Sequence, residues 1–131
     1  MKAVDVNIVI NLFIEGTHSD SAGKLFASDR HWILPDLWVH EMTNVVATYV
    51  KQSGMDLDDG EKILDSACQY FLETTYSLPM TVVLKTSIEY DISGYDAAYI
   101  ALARNNKVPL ITLDKKLANK VPEFTKILPG V

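Results

Sequence analysis

Hydrophobic positions along the chain fall into two rhythms. Short segments at residues 2–6, 31–34, 109–113 and 124–128 have the length and apolar content of strands, and the second, a short apolar run, stops at Pro35. Between them lie longer stretches with helical spacing. Asn7 is placed to cap a helix over residues 8–15, and Ser19 or Asp20 begins a weaker one over residues 18–27. Asp36 is placed to cap the strongest, residues 37–52, which ends at Ser53 and Gly54. Its apolar residues Trp38, Met42, Val45 and Tyr49 recur at i, i+4, i+7 and i+11, one helical face. Residues 58–72 form a second long helix with Ile63, Leu64, Ala67, Tyr70 and Phe71 inward. A helix after Pro79 runs to about residue 89, an alanine-rich one begins at Ser93 and covers 95–105, and a short one spans 114–120.

The predicted order is β-α-α-β-α-α-α-α-β-α-β. Strands that alternate with helices predict an α/β fold, a central parallel β-sheet flanked by helices in an α/β/α arrangement. The 131 residues suit one domain, with no linker or repeat to divide residues 1–131. A hydrophobic fraction of 48% excludes a disordered chain, and no apolar stretch is long enough to span a bilayer. An acid at position 5 stands where a secretory leader needs apolar residues, which leads us to expect a cytoplasmic protein. Cys68 is the only cysteine, so no internal disulfide forms and a zinc cluster has no basis. His18, His31 and His40 show no metal-ligand spacing. Neither a P-loop nor a nucleophile-elbow motif is present, which disfavours nucleotide hydrolysis of that type and α/β-hydrolase chemistry.

Charge changes the picture twice. The net charge is −5, a poor balance for general nucleic-acid binding, yet residues 101–131 carry six basic side chains against two acidic ones. Lys115, Lys116 and Lys120 in that segment are candidates for a local phosphate-contacting surface, or else they line a solvated helix face. The second change concerns four acids. Asp5 and Asp114 each stand where a strand gives way to a helix, the place where parallel sheets bind ligands. Each is also a natural cap or turn acceptor, and Asp96, three residues after Ser93, suits a capping box. Glu41 lies on the rim of an apolar helical stripe, where a carboxylate is costly to bury without a compensating partner. Arg30 and Arg104 are the only arginines available. A divalent cation shared among the carboxylates would compensate equally well. Asp5, Glu41, Asp96 and Asp114, with the neutral oxygens of Asn7 and Thr112, form an all-oxygen set suited to Mg²⁺ or Mn²⁺.

At these residues the sequence resembles the PIN domain family, and within it the VapC-type toxins of toxin–antitoxin pairs. The matching segments are Val-Asp-Val-Asn at 4–7, Glu-Met-Thr-Asn-Val-Val at 41–46, Gly-Tyr-Asp-Ala-Ala-Tyr-Ile-Ala-Leu-Ala at 94–103 and Leu-Ile-Thr-Leu-Asp-Lys-Lys-Leu at 110–117. They stand in the family's order and span essentially the whole chain. The resemblance implies that Asp5, Glu41, Asp96 and Asp114 are the acidic quartet that holds Mg²⁺ or Mn²⁺ in an endoribonuclease site. Asn7 and Thr112 take the supporting polar positions. It further implies an RNA substrate, a cognate antitoxin and a homodimer. Two rivals remain at this point. A PIN-like scaffold that binds without cutting would keep the fold. A receiver-type phosphoacceptor would need paired acids after the first strand, where Asp5 stands alone.

Overall fold

The chain was studied as a computed structural model that describes residues 1–130. Its elements in order are β1 (Lys2–Val4), α1 (Val6–Phe13), α2 (Ser19–Ser28), β2 (Trp32–Pro35), α3 (Leu37–Gln52), α4 (Leu57–Phe71), β3 (Thr75–Tyr76), α5 (Met80–Tyr90), α6 (Gly94–Asn105), β4 (Leu110–Thr112), α7 (Lys115–Lys120) and β5 (Thr125–Ile127). Single 3₁₀ turns, Leu72–Thr74 and Pro122–Phe124, lead into β3 and β5. The five strands form one sheet in the order β3-β2-β1-β4-β5, and every pairing is parallel. The chain starts at the centre with β1, builds outward through β2 and β3, then returns to lay β4 and β5 on the other side. The strand order therefore reverses between β1 and β4, where Ala3 pairs with Leu110 and Val4 with Ile111. Ligand sites in open α/β sheets lie beyond the carboxyl ends of the strands at such a reversal.

Trp32, Ile33, Leu34, Leu110 and Ile111 are buried, as parallel strands covered on both faces must be. Helix α6 packs on β2, β1 and β4, burying Ala97 and the whole run from Tyr99 to Ala103. Its alanines allow that close approach and favour the helix. Arg104 clasps α6 to α5. Its guanidinium donates to both carboxylate oxygens of Glu89 at 3.2 Å, to the Tyr90 hydroxyl at 3.3 Å and to Thr86 Oγ1 at 3.1 Å. Elsewhere Phe71 of α4 stacks on Trp32 of β2, with ring centroids 5.4 Å apart and planes 3° from parallel.

Several sequence expectations need correction. Residues 75–76 add a strand at the sheet edge, and with only two residues β3 has no periodicity to announce it. The first helix begins at Val6, so the N-cap position belongs to Asp5 and not to Asn7. Asp36 precedes α3 but makes no side-chain cap; its backbone N–H instead donates to Tyr76 O at 2.9 Å, the continuation of the β2–β3 ladder. The buried stripe of α3 is Trp38, Met42 and Val46, while Val45 is half-buried and Tyr49 exposed. Gly60 of α4 explains the rotation. A Cβ there would lie 3.0 Å from Val46 Cγ1 and 3.3 Å from Val50 Cγ2, so the two helices meet backbone to side chain on that face. Tyr70 is 52% exposed instead of inward, with its ring edge-on to Phe26.

Candidate metal centre

The strand reversal brings together residues from both ends of the chain. Asp5 follows β1, and its backbone N–H donates to Ile111 O at 2.9 Å, extending the β1–β4 ladder by one rung. Its side chain makes no cap for α1. Oδ2 instead accepts from the buried Thr112 hydroxyl at 2.8 Å. Thr112 Oγ1 in turn accepts the Asp114 N–H at 3.0 Å. Asn7 closes the group: its Nδ2 lies 3.4 Å from both Asp5 Oδ2 and Thr112 Oγ1, and its Oδ1 accepts the Leu113 N–H at 3.3 Å. The supporting pair named from sequence thus binds the first strand end to the fourth.

The other acids arrive on helices. Asp114 Oδ1 accepts the Leu117 N–H at 3.0 Å and so caps α7. Ser93 caps α6 by accepting the Asp96 N–H at 3.0 Å, which sets Asp96 in the first turn of that helix. Glu41 lies in the second turn of α3, half-buried. Neither arginine compensates it: Arg104 is committed to α5, and Arg30 sits 5.1 Å above the Phe26 ring. The partner is Tyr99, which sequence reasoning missed. Its hydroxyl donates to Glu41 Oε1 at 2.6 Å. The available signal was its place three residues after Asp96, on the same face of α6.

Burial raises the Asp5 carboxyl from 3.8 to about 6; the Thr112 hydrogen bond opposes that shift, and the charges of Glu41 and Asp96 add to it. Glu41 is raised by burial and by Asp96, against the pull of the Tyr99 hydrogen bond. Asp96 is raised by burial and by Asp114. Asp5, Glu41 and Asp96 therefore each feel at least one other acid. Desolvation and like-charge repulsion together penalise the anionic forms, and a bound cation relieves both. Among the described residues no three His, Cys, Asp or Glu side chains approach closely enough to make a ready coordination sphere. A loose ring of hard oxygen donors fits a small divalent ion that keeps several waters and takes one or two carboxylates directly.

A cleft of about 340 Å³ opens beside Asp96 and Asp114, lined also by Ser93, Lys116 and Lys120. Lys120 is partly engaged already, its Nζ donating to Asp91 O at 2.7 Å. Lys115 is exposed on the same short helix but does not line the cleft.

This fold is that of a known family. The PIN domain family model matches residues 2–121, and the chain belongs to that family. It is related by sequence and fold to the VapC-type toxin–antitoxin ribonucleases. It is 24% identical over 122 residues to Ribonuclease VapC3 of Pyrobaculum aerophilum, covering 91% of this chain and 93% of that protein. The crystal structure of PAE2754 from the same organism superposes with a TM-score of 0.75 at 20% identity, covering 97% of this chain and 90% of that one. A toxin–antitoxin complex from Klebsiella pneumoniae gives 0.68 at 20% identity, with 93% of each chain covered. FitAcB from Neisseria gonorrhoeae gives 0.69 at 13% identity, covering 98% and 96%. These likenesses establish the fold, one consistent with nuclease-like function, and set the receiver-type alternative aside.

Proposed function

We propose that the chain acts as a single PIN-like nuclease domain, an Mg²⁺- or Mn²⁺-dependent endoribonuclease that serves as the toxin of a VapBC-type pair. The observation that carries this reading is the gathering of Asp5, Glu41, Asp96 and Asp114 at the strand reversal, close enough for burial and mutual charge to raise three of them. These four residues would hold the cation. When bound, it supplies charge stabilisation at the phosphodiester and eases ionisation of the attacking water. The chain's own groups do the rest. Thr112 fixes Asp5 Oδ2, Asn7 ties that oxygen to the β4 end, and Asp114 caps α7 through Oδ1, its Oδ2 having no hydrogen bond among the described residues. Lys116 and Lys120, with Lys115 beside them, would hold RNA phosphates along the cleft.

A cognate antitoxin, a homodimer and a cytoplasmic setting belong to the same proposal. No helix among the described residues is long and apolar enough to cross a membrane. For the homodimer, support comes from α5, where Met80, Leu84 and Ile88 are 87%, 62% and 74% exposed at i, i+4 and i+8. The test of the enzymatic reading is cleavage of mixed cellular RNA with and without Mn²⁺ or Mg²⁺. Products should carry 5′-phosphate and 3′-hydroxyl ends, since no 2′-hydroxyl attack is required. Cleavage that survives EDTA, or 2′,3′-cyclic phosphate ends, would sink the mechanism. RNA binding without any cleavage would favour the non-catalytic module. Replacing Lys115, Lys116 and Lys120 with Gln should flatten the salt dependence of RNA binding, by roughly 0.7 in log–log slope for each lost phosphate contact.

A further inference from the structure

Glu41 reaches the site on a long side chain from α3, and Asp96 enters it on α6. A glutamate has three rotatable bonds, and holding its carboxylate in one place requires a partner. Tyr99 supplies one from 58 positions away, with O–H to Oε1 at 2.6 Å, the length of a charge-assisted hydrogen bond. The phenol is 2% exposed and belongs to α6, whose own position is set by the sheet beneath it and by the Arg104 clasp on α5. We propose that Tyr99 is a positioning residue of the metal centre: its hydroxyl holds Glu41 Oε1 and leaves Oε2 as the oxygen that meets the cation, in register with Asp96 on the same helix. This inference rests on the metallonuclease reading above.

The geometry gives that hydroxyl little else to do. Glu41 Oε2 has no hydrogen-bond partner among the described residues, whereas Oε1 is taken. The ring is stiff and enclosed, so the contact transmits the placement of α6 to a side chain of α3. Burial, with the Glu41 carboxylate next to it, raises the phenol's pKa and keeps the hydroxyl a donor. The competing role is that of a core tyrosine whose O–H needed any acceptor. Such a role would affect melting and leave ion binding alone.

The experiment is Tyr99→Phe, which removes one oxygen and keeps the ring. The expected result is a native circular-dichroism spectrum without metal and a Mn²⁺ dissociation constant weakened about tenfold or more by calorimetry. kcat on an RNA oligonucleotide should fall by a similar factor, with KM within about twofold. Because Tyr99 acts only through Glu41, Tyr99→Phe added to Glu41→Gln should weaken Mn²⁺ binding no further. Wild-type Mn²⁺ affinity and kcat in Tyr99→Phe, with only the melting temperature changed, would overturn the proposal. Should Tyr99→Phe fail to fold, Glu41→Asp withdraws the carboxylate from the phenol by one methylene and leaves the core intact. It should bind Mn²⁺ as poorly as Glu41→Gln, and wild-type affinity there would equally overturn the proposal. A wild-type protein that neither binds Mn²⁺ nor cuts RNA would instead defeat the metallonuclease reading itself.

Discussion

At the carboxyl end of β1, Asp5 occupies the N-cap position of α1, and at the carboxyl end of β4, Asp114 occupies that of α7. In sequence the two look alike: a short apolar strand, an acid, then a helix. In space they diverge. Asp114 gives one oxygen to the Leu117 N–H, as a capping residue does, and remains half-buried. Asp5 caps nothing, is buried, and gives its oxygen to the Thr112 hydroxyl. What separates them is the neighbouring strand. Across the β1–β4 pair the Thr112 hydroxyl of β4 reaches the Asp5 carboxylate, whereas among the described residues no side chain of β1 or β5 donates to Asp114. The strand–acid–helix pattern therefore marks a place in the fold without fixing what the acid does there. An acid in that place can spend an oxygen on a helix cap or on a side chain that the sheet brings against it.

The broadest attack on this comparison asks whether the two ends share one site. Asp5→Asn and Asp114→Asn should each reduce RNA cleavage about a hundredfold or more, since the Lewis-acid contribution at stake is several kcal/mol. Asp96→Asn should do the same. Each should also lose most of the expected Mn²⁺ stabilisation, which by mass action would reach ~2.7 kcal/mol in wild type at a hundredfold excess over the dissociation constant. Melting in EDTA and in Mn²⁺ beside a cleavage assay measures both. One variant that still cuts and still responds to Mn²⁺ would separate the two ends.

Next in size is an effect confined to Asp5. With its folded-state carboxyl raised to about 6 from 3.8, the folded protein holds a proton that the unfolded chain has already released. Well below pH 3.8 both states are protonated and no penalty exists. As pH climbs from 3.8 through the raised value, the unfolded chain ionises first, and metal-free stability should fall by up to ~3 kcal/mol, levelling off by pH 7. Urea unfolding in EDTA between pH 4 and 7.5 tests this. The fall should vanish in Asp5→Asn, making that variant the more stable at pH 7, and persist in Asp114→Asn.

Thr112→Val isolates the neighbour responsible for the divergence. It leaves the Asp114 N–H without its acceptor and Asp5 with only the longer contact from Asn7, at a cost of about 2 kcal/mol. Because the lost hydrogen bond lowers the Asp5 pKa, the stability fall should also move to higher pH. Smallest is the cap itself. Asp114→Ala should lower stability by about 1 kcal/mol, and Asp114→Asn by only a few tenths, since Asn caps as well as Asp. A loss of several kcal/mol in Asp114→Asn would show that its charge is structural.

Most of the architecture was legible because it rests on local signals. The helices over residues 37–52 and 95–105, the apolar strands and the alternating order all carry periods or caps that survive in one dimension. Three features did not. β3 is two residues on a sheet edge. The turn of α3 from Tyr49 toward Val46 depends on Gly60, a contact made by another helix. The Tyr99–Glu41 bond joins α6 to α3, and nothing near Glu41 in sequence foretells a phenol. The four acids stood out by position relative to strands, yet their separate environments were visible only once the sheet order was known.

That sheet order also dictates a sequence of events during synthesis. β1 is made first but lies at the centre, and its partner β4 follows only after a further hundred or so residues. The Thr112–Asp5 hydrogen bond spans 107 positions, so while the intervening chain is being added β1 can be flanked by β2 but Asp5 lacks its Thr112 donor. Contacts of that separation form late and at a high loop-closure cost. A nascent or prematurely terminated chain ending before Thr112 would carry Asp5, Glu41 and even Asp96 without the strand that closes the ring. The acids supplied by the first hundred residues therefore stay an open set until β4 is laid beside β1.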